Sequence, residues 1–129
     1  MQETRERTDA APATVGLRIA VGSQNFRTVT SHAGKTRRFL VYLVQDDGKV
    51  REVERIDLPL GQALHDHHGE DHPLYRVDVV VTGGCGEGFV RRMSAHGVRV
   101  VATAEPDPQT AARAVAAGLP LPPALPHEH

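Results

Sequence analysis

Residues 77–104, with the sequence VDVVVTGGCGEGFVRRMSAHGVRVVATA, decide the fold of this chain. The apolar, β-branched run at 77–82 is typical of a strand that is buried on both faces. A glycine-rich turn follows at 83–86, and after it Phe89 and Met93 lie four positions apart, as on one face of a helix. The stretch therefore begins as a buried strand that turns sharply into a helix.

The second half of the stretch completes a β–α–β unit. Arg91 and Arg92 are predicted to point away from the buried helix face, and Gly97 to end the helix. Residues 98–102 are predicted to form a second buried strand, parallel to the first. The glycine-rich turn aims backbone N–H groups and a helix N-terminus at one point, which suits an anionic ligand. A tight turn that needs glycine for packing alone is the alternative.

The composition excludes several classes of protein. With 129 residues, the chain is long enough for one core but not for two. Its 15 basic and 16 acidic residues nearly cancel, so bulk charge indicates neither a nucleic-acid nor a membrane partner. Tryptophan is absent and aromatic residues are scarce, which disfavours stacking on bases.

The location of the protein is predicted from its cysteine content and its apolar segments. The single cysteine rules out an internal disulfide and favours a reducing compartment. No segment approaches the roughly 18 apolar residues of a membrane span. Residues 1–14 are polar and contain no apolar core of a secretory signal. A cytoplasmic protein is the simplest interpretation.

The chain is predicted to contain one α/β domain between two polar ends. Residues 1–15 are expected to be a disordered lead-in, 16–118 a single cofactor-binding domain, and 119–129 a tail rich in proline and histidine. The domain is predicted to be a five-stranded mixed sheet with helices packed on it. Further elements are predicted as follows: strands at 17–21, 38–44 and 50–56, a hairpin turn at 45–49, a short helix at 58–64, and a last helix from Asp107 and Pro108 to Gly118.

The first and fourth strands are predicted to be parallel neighbours at the centre of the sheet. The loops after them, at 23–35 and 83–88, then emerge at the same end, where open α/β sheets bind ligands. This end is predicted to bring together the following candidate binding residues: Asn25 and His32 from one loop, and Gly83, Gly84, Cys85, Gly86 and Glu87 from the other.

Two of these candidates could ligate a metal directly. The helix N-terminus is expected to lower the pKa of the Cys85 thiol toward the ligating thiolate form. His32 can offer a neutral imidazole nitrogen. Alternatively, Cys85 is a small residue that fills a turn, and His32 is an ordinary loop histidine bonded to the backbone.

A histidine-rich segment at 65–72, with the sequence HDHHGEDH, is the second candidate site. Three- and four-residue spacings within it suit a metal ion if the segment is helical. Gly69 and Pro73 argue against a regular helix, and the interleaved acidic residues also suit a solvated loop. The candidate metal ligands are His65, His67, His68 and His72.

The segments RIAVGSQNFRTVTSHAGKTRRFLVYLV (18–44) and HPLYRVDVVVTGGCGEGFVRRMSAHGVRVVATAEPDP (72–108) resemble the dinitrogenase iron–molybdenum cofactor-binding family. The resemblance covers 17–118. It implies a ribonuclease-H-like sheet and a carrier of the iron–molybdenum cofactor or of its iron–sulfur precursor. The family's histidine in a His-Phe-Gly loop maps onto His32, with Ala33 where phenylalanine is common. Implied partners are nitrogenase cofactor-assembly proteins or apo-dinitrogenase, and a homodimer stays open.

The single cysteine and the nearby basic residues are consistent with a protein that carries a preassembled metal cluster. A simple iron–sulfur cluster usually needs four thiolates, and this chain has one cysteine. A preassembled anionic cluster needs only one or two protein ligands, with Arg27, Lys35 and Arg37 near enough in sequence to neutralise its charge. A non-catalytic carrier is therefore predicted.

Three other functions are alternatives to a carrier. A zinc sensor or storage module would use the histidine-rich segment. A hydrolase would use Cys85 with His32, but the sequence places no acid beside them. A two-metal nuclease is disfavoured because the first strand carries no carboxylate, and Asp78 lies at the wrong end of the fourth.

Overall fold

The computed structural model of the chain describes residues 15–67, 69 and 71–124. The predicted disordered lead-in therefore lies outside the described residues, except for Val15. His68 and the end of the tail, at 125–129, also lie outside them. Five strands and two α-helices are found, in this order: β1 (Arg18–Gly22), β2 (Arg38–Val44), β3 (Val50–Asp57), β4 (Val79–Thr82), α1 (Glu87–Ala95), β5 (Arg99–Ala102) and α2 (Pro108–Ala117).

The strands form one mixed sheet in the order β3-β2-β1-β4-β5. Strand β1 is antiparallel to β2 and parallel to β4, and β4 is parallel to β5. The predicted five-stranded mixed sheet is confirmed, as are the central pairing of β1 with β4 and the edge position of β3. The ribonuclease-H-like classification stays a prediction. Because β1 and β4 are parallel, the loops after them leave the same end of the sheet.

Alternating side chains of the central strands pack against helices on both faces. On one face, Ala20 and Val80 belong to a buried cluster that contains Phe89 and Met93 of α1. On the other face, Val81 packs in a cluster with the small apolar side of α2. Burial on both faces explains why β4 is an uninterrupted apolar run rather than an alternating one.

The last helix matches its prediction, whereas the short helix predicted at 58–64 is wrong. The Asp107 side chain accepts a hydrogen bond from the Thr110 backbone at 2.8 Å, and α2 ends at Gly118 in the left-handed conformation. At 58–64 the chain instead forms a turn in which Gly61 has φ +86°, followed by a single 3₁₀ turn at Leu64–Asp66. A left-handed residue within the segment is incompatible with a continuous helix.

The described part of the tail packs on the sheet. The Thr103 hydroxyl donates to the Pro122 carbonyl at 2.6 Å, and the Ala104 amide donates to the same oxygen at 3.3 Å. This contact fixes the segment after α2 against the end of β5. Within the described residues, no helix combines the length and apolarity that crossing a bilayer requires.

Candidate functional site

The loops after β1 and β4 are joined to each other by hydrogen bonds. The Gly83 amide donates to the Thr30 carbonyl at 2.9 Å, and the Ala33 amide donates to the Gly84 carbonyl at 3.1 Å. The buried Thr82 hydroxyl lies 3.1 Å from the Thr30 carbonyl oxygen. These bonds hold the histidine-containing loop against the glycine-rich turn, as the parallel pairing of β1 and β4 predicts.

Gly83 is required by the close approach of the two loops. A Cβ atom at this position would lie 2.9 Å from the Ser31 hydroxyl oxygen and 3.3 Å from the Ser31 backbone nitrogen. Contacts this short to backbone cannot be relieved by a side-chain rotation alone. The first glycine of the turn therefore has a packing role, which is the alternative to a role in binding an anion.

A cavity of about 310 Å³ lies where the two loops meet. Its volume is at the lower end of the range of about 300–1,000 Å³ found for small-molecule sites. It is lined by His32 and Cys85, which are the predicted metal ligands of the two loops, and also by the basic Lys35 and the apolar ring of Phe89. Its lining residues are His32, Ala33, Gly34, Lys35, His65, Cys85, Gly86, Gly88 and Phe89.

His32 is held at the rim of this cavity by an unusual backbone conformation. The residue is exposed and left-handed, with φ 60° and ψ 59°, and it begins the 3₁₀ turn at Ala33–Lys35. Its carbonyl accepts hydrogen bonds from the amides of Lys35 at 2.8 Å and Thr36 at 3.1 Å. Left-handed residues other than glycine are uncommon and cluster at functional sites. The turn therefore fixes the position from which the imidazole extends.

Cys85 lines the same cavity and is half-buried against the cluster that contains Phe89. This burial raises the pKa of the Cys85 thiol above its ordinary value. The prediction that this pKa is lowered is therefore wrong, because burial disfavours the charged thiolate. Ligation of a metal through the sulfur must therefore release a proton.

The backbone amides that are left for an anionic ligand differ from the predicted ones. The Gly83 amide is used by Thr30, and the Gly84 amide donates to the Thr82 hydroxyl at 3.2 Å. Helix α1, by contrast, begins after Gly86 without a side-chain cap. The first amides of a helix have no acceptor within the helix. Amides available to an anion therefore belong to the first turn of α1 rather than to Gly83 and Gly84.

Besides Gly83 and Gly84, two further predicted binding residues, Asn25 and Glu87, do not line the cavity. The Asn25 side-chain oxygen accepts hydrogen bonds from the amides of Arg27 at 2.8 Å and Thr28 at 2.9 Å, so this side chain shapes its own loop. Glu87 is exposed on the first turn of α1 and lies 3.8 Å from Arg91. Both side chains therefore make contacts within their own segment rather than with the cavity.

Arg92 is a structural residue that sequence reasoning missed. It was predicted to point away from the core, but it is half-buried and donates three hydrogen bonds from one side chain. Its acceptors are the Tyr75 hydroxyl at 2.8 Å, the Leu64 carbonyl at 2.9 Å and the His67 carbonyl. Arg92 thus ties the histidine-rich segment to α1. Its position next to an apolar helix face gave no indication of this role.

The histidine-rich segment does not act as one unit. His65 is exposed and lines the cavity, whereas the ring of His67 packs against that of His72, with 4.9 Å between their centroids. His68 lies outside the described residues. Across 15–67, 69 and 71–124, no three His, Cys, Asp or Glu side chains converge as ligands of a single metal ion. A metal site at this segment stays a prediction.

His72 is engaged in the fold through both ring nitrogens. It is 2% exposed, its Nδ1 accepts from the Leu74 amide at 3.1 Å, and its Nε2 lies 3.1 Å from the Gln62 carbonyl oxygen. Since Nδ1 accepts, the proton of the neutral ring is on Nε2 and is donated to Gln62. His72 therefore caps the 3₁₀ turn at Pro73–Arg76 and has no free nitrogen for a metal.

We expect the buried His72 to make the fold less stable in mild acid. Burial lowers the pKa of His72, with smaller effects from His67 and Arg92 in the same direction and from Gln62 and Asp71 against it. The unfolded chain therefore takes up a proton first as the pH falls below about 6.5. The free energy of unfolding should hold above that pH and fall below it, by at most about 1.4 kcal/mol per pH unit from this group.

Urea unfolding between pH 7.5 and 5 measures this dependence. His72→Asn keeps an acceptor for the Leu74 amide but cannot titrate, so its curve should be flatter than that of the wild type. Parallel curves for the two proteins would show that His72 does not control the acid response.

The chain matches a family profile over most of its length. The profile of the family described as dinitrogenase iron-molybdenum cofactor matches residues 16–118. No curated protein matches the chain significantly. The matched residues begin two positions before β1 and end at the residue that follows α2, so they include all five strands and both loops of the cavity.

Solved structures with the same fold are found at low sequence identity. The crystal structure of PH0822 has a TM-score of 0.61 at 22% identity, and the match covers 80% of this chain and 93% of that one. A candidate dinitrogenase from Methanocaldococcus jannaschii gives 0.59 at 11%, with 81% and 91% covered. A candidate NifB protein from Thermotoga gives 0.57 at 18%, with 88% and 99% covered. At these identities the likeness shows the fold alone.

Proposed function

This chain belongs to the dinitrogenase iron-molybdenum cofactor family, and we propose that it is a non-catalytic binding protein for the iron–molybdenum cofactor or its iron–sulfur precursor. The observation that supports this proposal most directly is the shared cavity of His32 and Cys85. An imidazole and a thiol approach one space from two different loops. Such an arrangement suits a cargo that is assembled elsewhere and needs few protein ligands.

The number of ligands favours a preassembled cargo over a cluster built on this chain. One cysteine cannot supply the four thiolates that a simple iron–sulfur cluster usually takes. A cluster whose irons are already bridged by sulfide needs terminal ligands only where the protein touches it. His32 would supply a neutral nitrogen and Cys85 a thiolate, after release of its proton.

The lining of the cavity suits an anion. Lys35 contributes a positive charge, and the uncapped start of α1 contributes backbone N–H groups and the positive end of a helix dipole. Gly86 and Gly88 leave these amides unobstructed, because a Cβ atom at either position would meet nothing within 4 Å. The apolar Phe89 ring forms part of the wall and lowers the local dielectric, which strengthens the attraction.

The same lining argues against a hydrolase. A Cys85–His32 dyad would need a third group to orient the imidazole. The lining residues include no carboxylate and no side-chain amide. The chain would then act by holding the cargo and releasing it to a partner. We propose cofactor-assembly proteins as donors and apo-dinitrogenase as an acceptor.

An anaerobic binding experiment tests this function. The purified chain is mixed with isolated iron–molybdenum cofactor and separated by gel filtration, and we expect iron and molybdenum to elute with the protein. Bound cargo should also protect Cys85 from alkylation by iodoacetamide, which mass spectrometry of a chain with a single cysteine detects without ambiguity. Adding apo-dinitrogenase should then restore its activity.

Two controls complete the experiment. Protein incubated with Zn²⁺ instead of the cofactor should remain open to alkylation at Cys85. Cofactor that elutes apart from the protein would disprove the binding function, and retention of zinc alone would favour a sensor or storage module.

A further inference from the structure

The cavity at the two loops continues into a second one. This second space, of about 220 Å³, shares four lining residues with the first. His32 and Cys85 line only the first cavity, whereas Leu64 and Arg92 line only the second. The two spaces therefore form one groove along the first turns of α1. The shared residues at its middle are Gly34, His65, Gly88 and Phe89.

His65 is the polar side chain at the middle of this groove. It is exposed, and among the residues that the structure describes its ring has no hydrogen-bond partner. A Cβ atom added at Gly34 would lie 3.7 Å from the His65 Cβ, so the glycine lets the two loops approach each other. His65 thus has its imidazole nitrogens available, in contrast to the fully engaged His72.

Hydrogen bonds from Arg92 hold the backbone on both sides of His65 in place. The guanidinium donates to the carbonyls of Leu64 and His67, which flank His65 in the chain, and to the Tyr75 hydroxyl. Leu64 is buried at 1% exposure and anchors the segment in the core. An exposed histidine on a mobile loop would lose entropy on binding, but this backbone is already ordered.

We infer that His65 is a second histidine ligand for the cargo, in addition to His32 and Cys85, and that Arg92 is the positioning residue that holds His65 at the groove. This inference rests on the proposed function. The described His, Cys, Asp and Glu side chains do not converge on a single ion, yet His32, Cys85 and His65 line one continuous groove. Ligands arranged in this way reach separate metal centres of one cargo. His65 would bind through an unprotonated ring nitrogen, which replaces a weakly held terminal ligand such as water on the cargo metal, and that ligand is released to solvent.

A binding titration with His65→Asn tests the inference. Isolated iron–molybdenum cofactor is the probe, and we expect about tenfold weaker binding than to the wild type. Asp66→Asn is the matched control, because it alters the neighbouring exposed residue, which does not line the groove. Its affinity should be unchanged or slightly higher, since it removes a negative charge.

Pulsed electron paramagnetic resonance identifies the ligands directly. In protein labelled with ¹⁵N-histidine, the bound cluster should show coupling to two imidazole nitrogens in the wild type and to one in His65→Asn. Wild-type binding with one coupled nitrogen and no effect of His65→Asn would overturn this inference alone. A wild type that binds no cofactor would overturn the proposed function as well.

The role of Arg92 is tested with Arg92→Lys, which keeps the charge but cannot span three acceptors. We expect about a tenfold loss of affinity, and no further loss when His65→Asn is added, because both changes remove one interaction. When Arg92→Lys is combined with His32→Asn, the two losses of cofactor affinity should multiply. Independent effects of Arg92→Lys and His65→Asn would overturn the positioning role. His65→Asn alters an exposed side chain, so it tests the ligand even where Arg92→Lys does not fold.

Discussion

The His32→Asn protein is expected to bind isolated iron–molybdenum cofactor at least about 100-fold more weakly than the wild type. In the proposed function His32 is a terminal ligand at the cavity, and an asparagine amide is a poor ligand for the iron of a sulfide cluster. Removing a first ligand should exceed the effect of an outer residue, which lies at about 10–100-fold. An anaerobic titration followed by visible absorption measures the dissociation constant.

Asparagine is chosen for its backbone preference. Position 32 is left-handed, with φ 60°, and asparagine adopts this conformation more readily than alanine does. The free energy of unfolding should therefore change by less than about 0.5 kcal/mol. If cofactor affinity falls while the free energy of unfolding is unchanged, the loss of affinity is due to the missing imidazole.

Lys35→Gln separates ligation from charge. It removes the positive charge of the same cavity wall and leaves His32 in place. Its effect should be only a few-fold and should shrink with added salt, because the side chain is exposed. If His32→Asn retains as much cofactor as the wild type does, His32 is not a ligand.

The sheet could be predicted from sequence because its determinants are local. Three sequence features each specify an element within a few residues: the apolar run of β4, the N-cap at Asp107 and the Asp-Gly turn of the hairpin. The central pairing of β1 with β4 then follows from the rules for mixed sheets. The meeting of His32 with Cys85 follows in turn, since parallel neighbours send their loops to one end.

The features that could not be predicted depend on partners far away in the chain. Arg92 finds its acceptors at Leu64 and His67, and the bond to Leu64 spans 28 residues. The Cys85 thiol has a raised pKa because of tertiary burial that spacing alone does not show. The same holds for Gly83, whose amide faces Thr30 rather than a ligand.

Gly83→Ala is expected to destabilise the fold by about 2 kcal/mol. The added methyl would lie 2.9 Å from the Ser31 hydroxyl oxygen and 3.3 Å from backbone atoms of both Ser31 and Thr30. The loops must therefore separate, which also weakens the bond from the Gly83 amide to Thr30. Because this bond joins the loop that carries His32 to the turn that carries Cys85, cofactor affinity should fall together with stability. Urea unfolding and the anaerobic titration measure the two effects.

Gly88→Ala is the matched control, and its two effects should have opposite signs. A Cβ atom at Gly88 meets nothing within 4 Å, and alanine in a helix is favoured over glycine by about 0.5–1 kcal/mol, so the fold should become more stable. Gly88 nevertheless lines both halves of the groove, where a methyl would narrow the space over the first amides of α1. Cofactor should therefore bind more weakly to the more stable protein. Unchanged binding by Gly88→Ala would mean that the cargo does not occupy the groove over α1, because a cargo lying on those amides would contact the added methyl.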